Sequence, residues 1–207
     1  VAASVTTTII NAAGAHLGHH HIEDIAGSQQ PFAKEANVRL QLVRDGLLRA
    51  YPWNFAMVFA SLPEDKDRPA HTYNHAYSLP LGGSDKLPAF LRLWSVEGEG
   101  AYEVSQNKIY SNIPAPLKVR YIGRTEPAND DAMFSEILAL ELAIAVGRIT
   151  GNDETRIDLR RLQSKADNLK KMATRADGME RSRSPVVKAG GGFWLDQRNT
   201  GRSTSRW

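Results

Sequence analysis

Leu47-Leu48-Arg49-Ala50-Tyr51-Pro52-Trp53-Asn54-Phe55-Ala56 is the stretch in which the chain changes period. Upstream, Phe32, Ala36, Leu40, Val43, Leu47 and Ala50 recur every three or four residues, the spacing that gathers apolar side chains on one helix face. Lys34, Arg39, Arg44, Asp45 and Arg49 fall between them and are assigned to the solvent face. Pro31 suits the first turn, where a missing N–H costs no hydrogen bond. Pro52 ends the helix, because proline disfavours helical geometry in the residue before it. Tyr51, Trp53 and Phe55 stand where helix gives way to strand. Rings there plug the corner of a core more readily than they stack on nucleic-acid bases, since no basic residues are interleaved with them. The trio is read as a structural aromatic corner.

Working outward, Thr6 to Leu17 predicts an earlier helix, with Ser4 or a threonine near its start and Gly18 past its end. A polar link, Glu23 to Gln30, joins it to the next. Downstream, Met57 to Ala60, Tyr77 to Pro80 and Phe90 to Val96 predict short strands, with Trp94 in the sheet core. Ala101 to Val104 and Lys108 to Tyr110 flank Ser105-Gln106-Asn107 and predict a hairpin. Leu117-Lys118-Val119-Arg120-Tyr121-Ile122 alternates as a strand with one wet face. Strands do not alternate with helices, which argues against a parallel, doubly wound sheet.

Asn129-Asp130-Asp131 then supplies a helix cap and first-turn negative charge. Phe134, Ile137, Leu138, Leu140, Leu142, Ala145, Val146 and Ile149 make the following helix apolar nearly all round, so it is buried in a bundle or at a subunit interface. After Gly151-Asn152, Asp153 caps a last helix with a narrower stripe of Ile157, Leu162, Ala166, Leu169, Ala173 and Ala176. The resulting expectation is an α+β fold: an antiparallel helical bundle with a small inserted antiparallel β domain and an extended C-terminal arm. Its divisions are 1–56 and 125–180 for the bundle, 57–124 for the β-rich domain and 181–207 for the arm.

Charge is asymmetric. Residues 181–207 carry six basic side chains against Asp196, while the first 180 residues are slightly acidic within an overall net charge of +3. The arm also holds Phe193-Trp194-Leu195 and ends in Trp207. Solvating disordered segments are poor in aromatics, whereas arginine and aromatic side chains together are what interface anchors use. The arm is read as a docking segment through Arg181, Arg183, Phe193, Trp194, Leu195, Arg198, Arg202 and Trp207.

The absence of cysteine excludes disulfides, thiolate nucleophiles and cysteine-ligated metal centres, and fits assembly in a reducing cytoplasm. No stretch approaches the ~20 apolar residues that span a bilayer, and Val1 to Ile10 lack the pattern of a signal peptide. His16, His19, His20 and His21 have spacings compatible with metal ligation, but Gly18 interrupts the helix that would align them. His71 and His75 lie in a loop of turn-forming residues. No nucleophile elbow is present, and Gly190-Gly191-Gly192 lacks the strand and lysine of a phosphate loop. Capping accounts for Asp130 and Asp131. Neither catalytic residues, nor a cofactor, nor a metal site is expected.

In order and spacing, the blocks Leu47 to Ala56, Tyr102-Glu103-Val104 with Ile109-Tyr110, and Val119-Arg120-Tyr121 leading to the helix of Met133 to Ile149 resemble the tail tubular protein A family. These are the head-to-tail adaptors of short-tailed bacteriophages, and the resemblance covers roughly Thr7 to Glu180. It implies a non-enzymatic virion protein, one of twelve subunits in a ring joining the portal protein to the tail nozzle. The helical bundle would face the portal, the β domain the nozzle, and the arm would dock into the portal. Genomic double-stranded DNA would pass through the channel without sequence-specific contact. The arm, the histidine-rich link and the loop from Thr72 to Asp85 match no motif of the family. The alternative is a nucleic-acid-binding helical protein that uses its basic tail; a histidine-ligated metalloenzyme is a third reading.

Overall fold

The helix halted by Pro52 is α2 (Pro31–Ala50) in a computed structural model that describes residues 4–66, 72–83, 87–150 and 153–180, without the side chains of 150 and 153–158. Before it runs α1 (Val5–His16). After it come β1 (Met57–Leu62), β2 (His75–Ser78), β3 (Ala89–Val96), β4 (Tyr102–Ser105), β5 (Lys108–Ser111), β6 (Leu117–Arg124), α3 (Ala132–Thr150) and α4 (Asp153–Glu180). Short 3-10 turns occupy Asn54–Ala56 and Pro127–Asn129. The fold is mixed α+β, with two three-stranded antiparallel sheets ordered β1-β6-β3 and β2-β5-β4.

Ser4 caps α1, its Oγ accepting from the Thr7 amide at 3.1 Å, and Gly18 follows the helix end at φ +78°. The link after it is tied down by Asn11, whose side-chain amide donates to the Ile22 carbonyl and accepts from the Ile22 N–H, both at 2.9 Å. Ile22 and Ile25 are thereby buried.

The buried face of α2 is the i, i+4 row Phe32, Ala36, Leu40, Arg44 and Leu48. Two assignments from periodicity are corrected here. Ala50 is exposed and Leu48 takes its place; Arg44, expected in solvent, is only 2 % exposed. An arginine can occupy an apolar row only where a partner neutralises it, and that partner lies across the core.

The two sheets enclose Leu62, Tyr77, Leu79, Ile109, Leu117, Val119 and Tyr121. On its other face the first sheet contributes Leu91 and Ile122 to the helical core. Strand β6 is central, so its expected alternation holds only at the start. Lys118 is exposed and Arg120 half-buried, but Tyr121, Ile122 and Gly123 are all buried because both faces are covered there. The β4–β5 hairpin turns in two residues, Gln106 and Asn107, both at positive φ, rather than three. Trp94 is also corrected: it is 43 % exposed, on β3 where a register shift between Leu93 and Ser95 distorts the pairing with β6.

Helix α3 packs against α1, α2 and α4, and this accounts for its apolar character all round. Phe134, Ile137, Leu138, Leu142 and Val146 belong to the main core, while Leu140 and Ile144 meet Leu159 and Ala166 of α4. Its apolar surface is therefore used largely within the chain, leaving Ile149 exposed near its end. In α4, Ala166 and Ala173 are buried and Leu162 and Leu169 partly so, whereas Ala176 is exposed. No helix among the described residues is long and apolar enough to cross a membrane.

Candidate docking cleft

The residues after Pro52 build a cleft because three elements converge on them. Trp53 is 3 % exposed and its indole N–H donates to the Leu47 carbonyl at 3.1 Å, folding the corner back on the last turn of α2. Its ring meets Tyr51 edge-on at 4.9 Å and Phe134 at 5.3 Å, and Phe55 meets Phe134 at 5.1 Å. Edge-to-face pairs of this kind add to plain burial. The corner is also fastened to α4. The Tyr51 hydroxyl donates to the Thr174 carbonyl at 3.0 Å, the Asn54 amide to the Asp177 carboxylate at 2.8 Å, and the Asn54 side chain to the Asp177 carbonyl at 2.7 Å.

Between these contacts lies a cleft of about 200 Å³. Trp53, Phe55, Met133 and Ala173 line its apolar part, and Asp131, Asp177 and Glu180 its acidic part. Asp131 caps α3, accepting from the Met133 and Phe134 amides at 2.8 and 3.3 Å. The volume is below the ~300–1,000 Å³ of small-molecule sites and matches a single large side chain. Two of its three carboxylates already hold backbone amides, so the cleft offers negative charge beside aromatic surface: it suits a cationic or aromatic side chain of a peptide.

Asp130, adjacent to the α3 cap, has a different role from the capping expected of it. Its side chain is fully buried and faces Arg44. Arg44 Nε donates to Oδ2 at 2.9 Å and Nη2 to Oδ1, while Nη2 also donates to Thr125 Oγ1 at 3.0 Å. Capping thus explains Asp131 alone. The sequence signal for the pair was a single cation within the i, i+4 row of α2 together with two consecutive carboxylates, one more than a helix cap requires.

The other predicted residues separate. His16 lies 3.4 Å from Glu136, His19 stacks on Phe32 at 4.5 Å, and His75 Nδ1 lies 2.8 Å from Glu64. Among the described residues, no three His, Cys, Asp or Glu side chains are grouped so as to hold a metal ion. His71 and all eight arm residues, Arg181, Arg183, Phe193, Trp194, Leu195, Arg198, Arg202 and Trp207, lie outside the described residues. Two exposed aromatic–arginine pairs were not foreseen. Arg120 sits 5.0 Å over the ring of Phe59, and Arg92 sits 5.9 Å over Trp94.

Between the sheets, burial raises the pKa of both Tyr77 and Tyr121, with Glu64 adding to the effect at Tyr77. Their hydroxyls donate to the Ile113 and Pro88 carbonyls at 2.6 and 2.8 Å. No protein-family model matches the chain, and no curated protein matches it significantly.

Proposed function

We propose that the chain is a structural virion protein, a subunit of a head-to-tail adaptor ring that joins a portal to a tail nozzle. The reading rests on the order of sequence blocks, and one structural observation carries it further. The outward faces of two helices hold large apolar side chains: Val38 and Leu42, 78 % and 72 % exposed, one turn apart on α2, and Met172 and Met179, 59 % and 84 % exposed, two turns apart on α4. Repeated exposed apolar positions on a helix face are a feature of protein–protein interfaces. Because α3 is occupied inside the chain, these faces are the surfaces offered to neighbouring subunits.

In this reading the helices form an antiparallel bundle toward the portal, the β-rich part faces the nozzle, and residues 181–207 dock into the portal as an extended arm. Twelve subunits close the ring around a channel for double-stranded DNA. The protein acts without catalysis, metal or cofactor. Repetition of weak contacts around the ring raises avidity, provided the arms engage together. The slightly acidic body favours sliding DNA, since affinity follows the number of phosphates neutralised by lysine and arginine.

The test is a double substitution, Leu42→Glu with Met179→Glu, in the full chain. The substituted subunit is expected to keep its circular dichroism and to lose assembly on portal rings. Unimpaired assembly would remove these faces from the interface.

A nucleic-acid-binding protein is the second reading, favoured by the arginine-stacked Phe59 and Trp94 on one sheet. Such a protein would lose about 10³-fold or more in affinity between low and moderate salt if it neutralised several phosphates.

A further inference from the structure

We propose that the cleft at the aromatic corner is the seat of the chain's own C-terminal segment, with Trp194 entering it and the flanking basic side chains facing its carboxylates. Three observations converge. The cleft has room for one large side chain and an apolar lining of Trp53, Phe55 and Met133. Its charged lining is wholly acidic among the described residues, Asp131, Asp177 and Glu180. The segment that begins immediately after Glu180 is the strongly basic part of an otherwise slightly acidic chain, and it contains the paired aromatics.

Reach and composition agree with the assignment. Thirteen residues separate Glu180 from Trp194. At up to ~3.3–3.6 Å per residue this length is ample for a chain that leaves α4 beside the cleft to turn back into it. Gly190-Gly191-Gly192, just before the aromatics, removes side-chain obstruction to such a turn. Lys188 and Arg198 flank Phe193-Trp194 and are the cations placed to meet the acidic lining. Contact with the half-buried Phe55 and Met133 supplies the apolar part of the binding, and the ion pairs its salt sensitivity.

The seat itself stands independently of the adaptor reading; only its consequence rests on that reading. An arm seated on its own body is withheld from the portal, so docking requires an exchange of one partner for the other. With Trp194 seated, a free subunit is kept from engaging wrong surfaces through it.

The test exploits the lack of cysteine. Asn199→Cys in the full chain provides one attachment point for a nitroxide, and amide signals are followed by NMR without any portal present. Selective broadening at residues 53–55, 131–133 and 173–180 is expected, relieved by Trp194→Ala and weakened by Glu180→Lys or high salt. Uniform spectra without broadening at the cleft would overturn the proposal, as would broadening that survives Trp194→Ala. Mixing nitroxide-bearing unlabelled protein with isotope-labelled, unmodified protein separates the sources. Broadening at the cleft in that mixture as strong as in the single-chain sample would assign the occupant to a second copy and overturn the intramolecular seat. Each result leaves the adaptor reading to be judged by assembly on portals.

Discussion

Replacing Arg44 by methionine should be among the most damaging single substitutions in the helical core. The guanidinium is 2 % exposed and its carboxylate partner Asp130 fully buried, so neither is rescued by water when the other is removed. Arg44→Met deletes two hydrogen bonds to Asp130 and one to Thr125, leaving the carboxylate with the Thr125 hydroxyl at 3.4 Å. Hydrogen bonds to a charged group contribute ~1.5–3 kcal/mol each, and breaking a buried pair from one side typically costs ~3–5 kcal/mol. About 4 kcal/mol is expected, seen as a lowered midpoint in urea with little change in slope. In a chain of this size that corresponds to a drop of about 8–16 °C in melting temperature. The double variant Arg44→Met with Asp130→Leu should recover much of the loss, because an apolar pair leaves no buried charge. A cost below ~1 kcal/mol for Arg44→Met, the range of exposed ion pairs, would refute the reasoning.

The two sheets make a pH prediction with a definite sign. Tyr77 and Tyr121 have raised pKa values, so their stabilising contribution is complete below the ordinary tyrosine value of ~10 and is lost as pH rises through the raised values. Denaturation midpoints should fall on the alkaline side, and Tyr77→Phe with Tyr121→Phe should flatten that fall at the cost of two hydrogen bonds; an unchanged profile would contradict the assignment. Gly123→Ala tests the packing of central β6. A Cβ there would stand 2.8 Å from Val58 Cγ2 and 2.9 Å from Pro88 Cβ, so a loss of ~1–3 kcal/mol is expected in urea unfolding.

Helical periods were readable because they are local. Phe32, Ala36 and Leu40 on α2 and the all-round apolarity of α3 follow from spacing alone, and α1 is bracketed by the Ser4 hydroxyl cap and by Gly18, which takes a positive φ. Sheet pairing was not readable, because β1 meets β6 across the whole intervening β region and nothing in either strand names its partner. The errors share a cause. Arg44 was sent to solvent by its charge and Asp130 to a helix cap by its neighbour, although each is buried by the other. Trp94 was sent to the core by its size, whereas β3 leaves it 43 % exposed beside Arg92. The aromatic corner was visible as a set of rings, but its acidic side was not, since Asp177 and Glu180 reach it from more than a hundred residues away.

The adaptor reading is tested most directly by the mass of the chain of residues 1–207 in solution, alone and after mixing with isolated portal rings. A ring-sized complex that forms on the portal, and fails to form when residues 181–207 are deleted while the body keeps its circular dichroism, is the predicted result. A monomer or dimer that ignores portals and instead retards DNA in a salt-sensitive manner would contradict it.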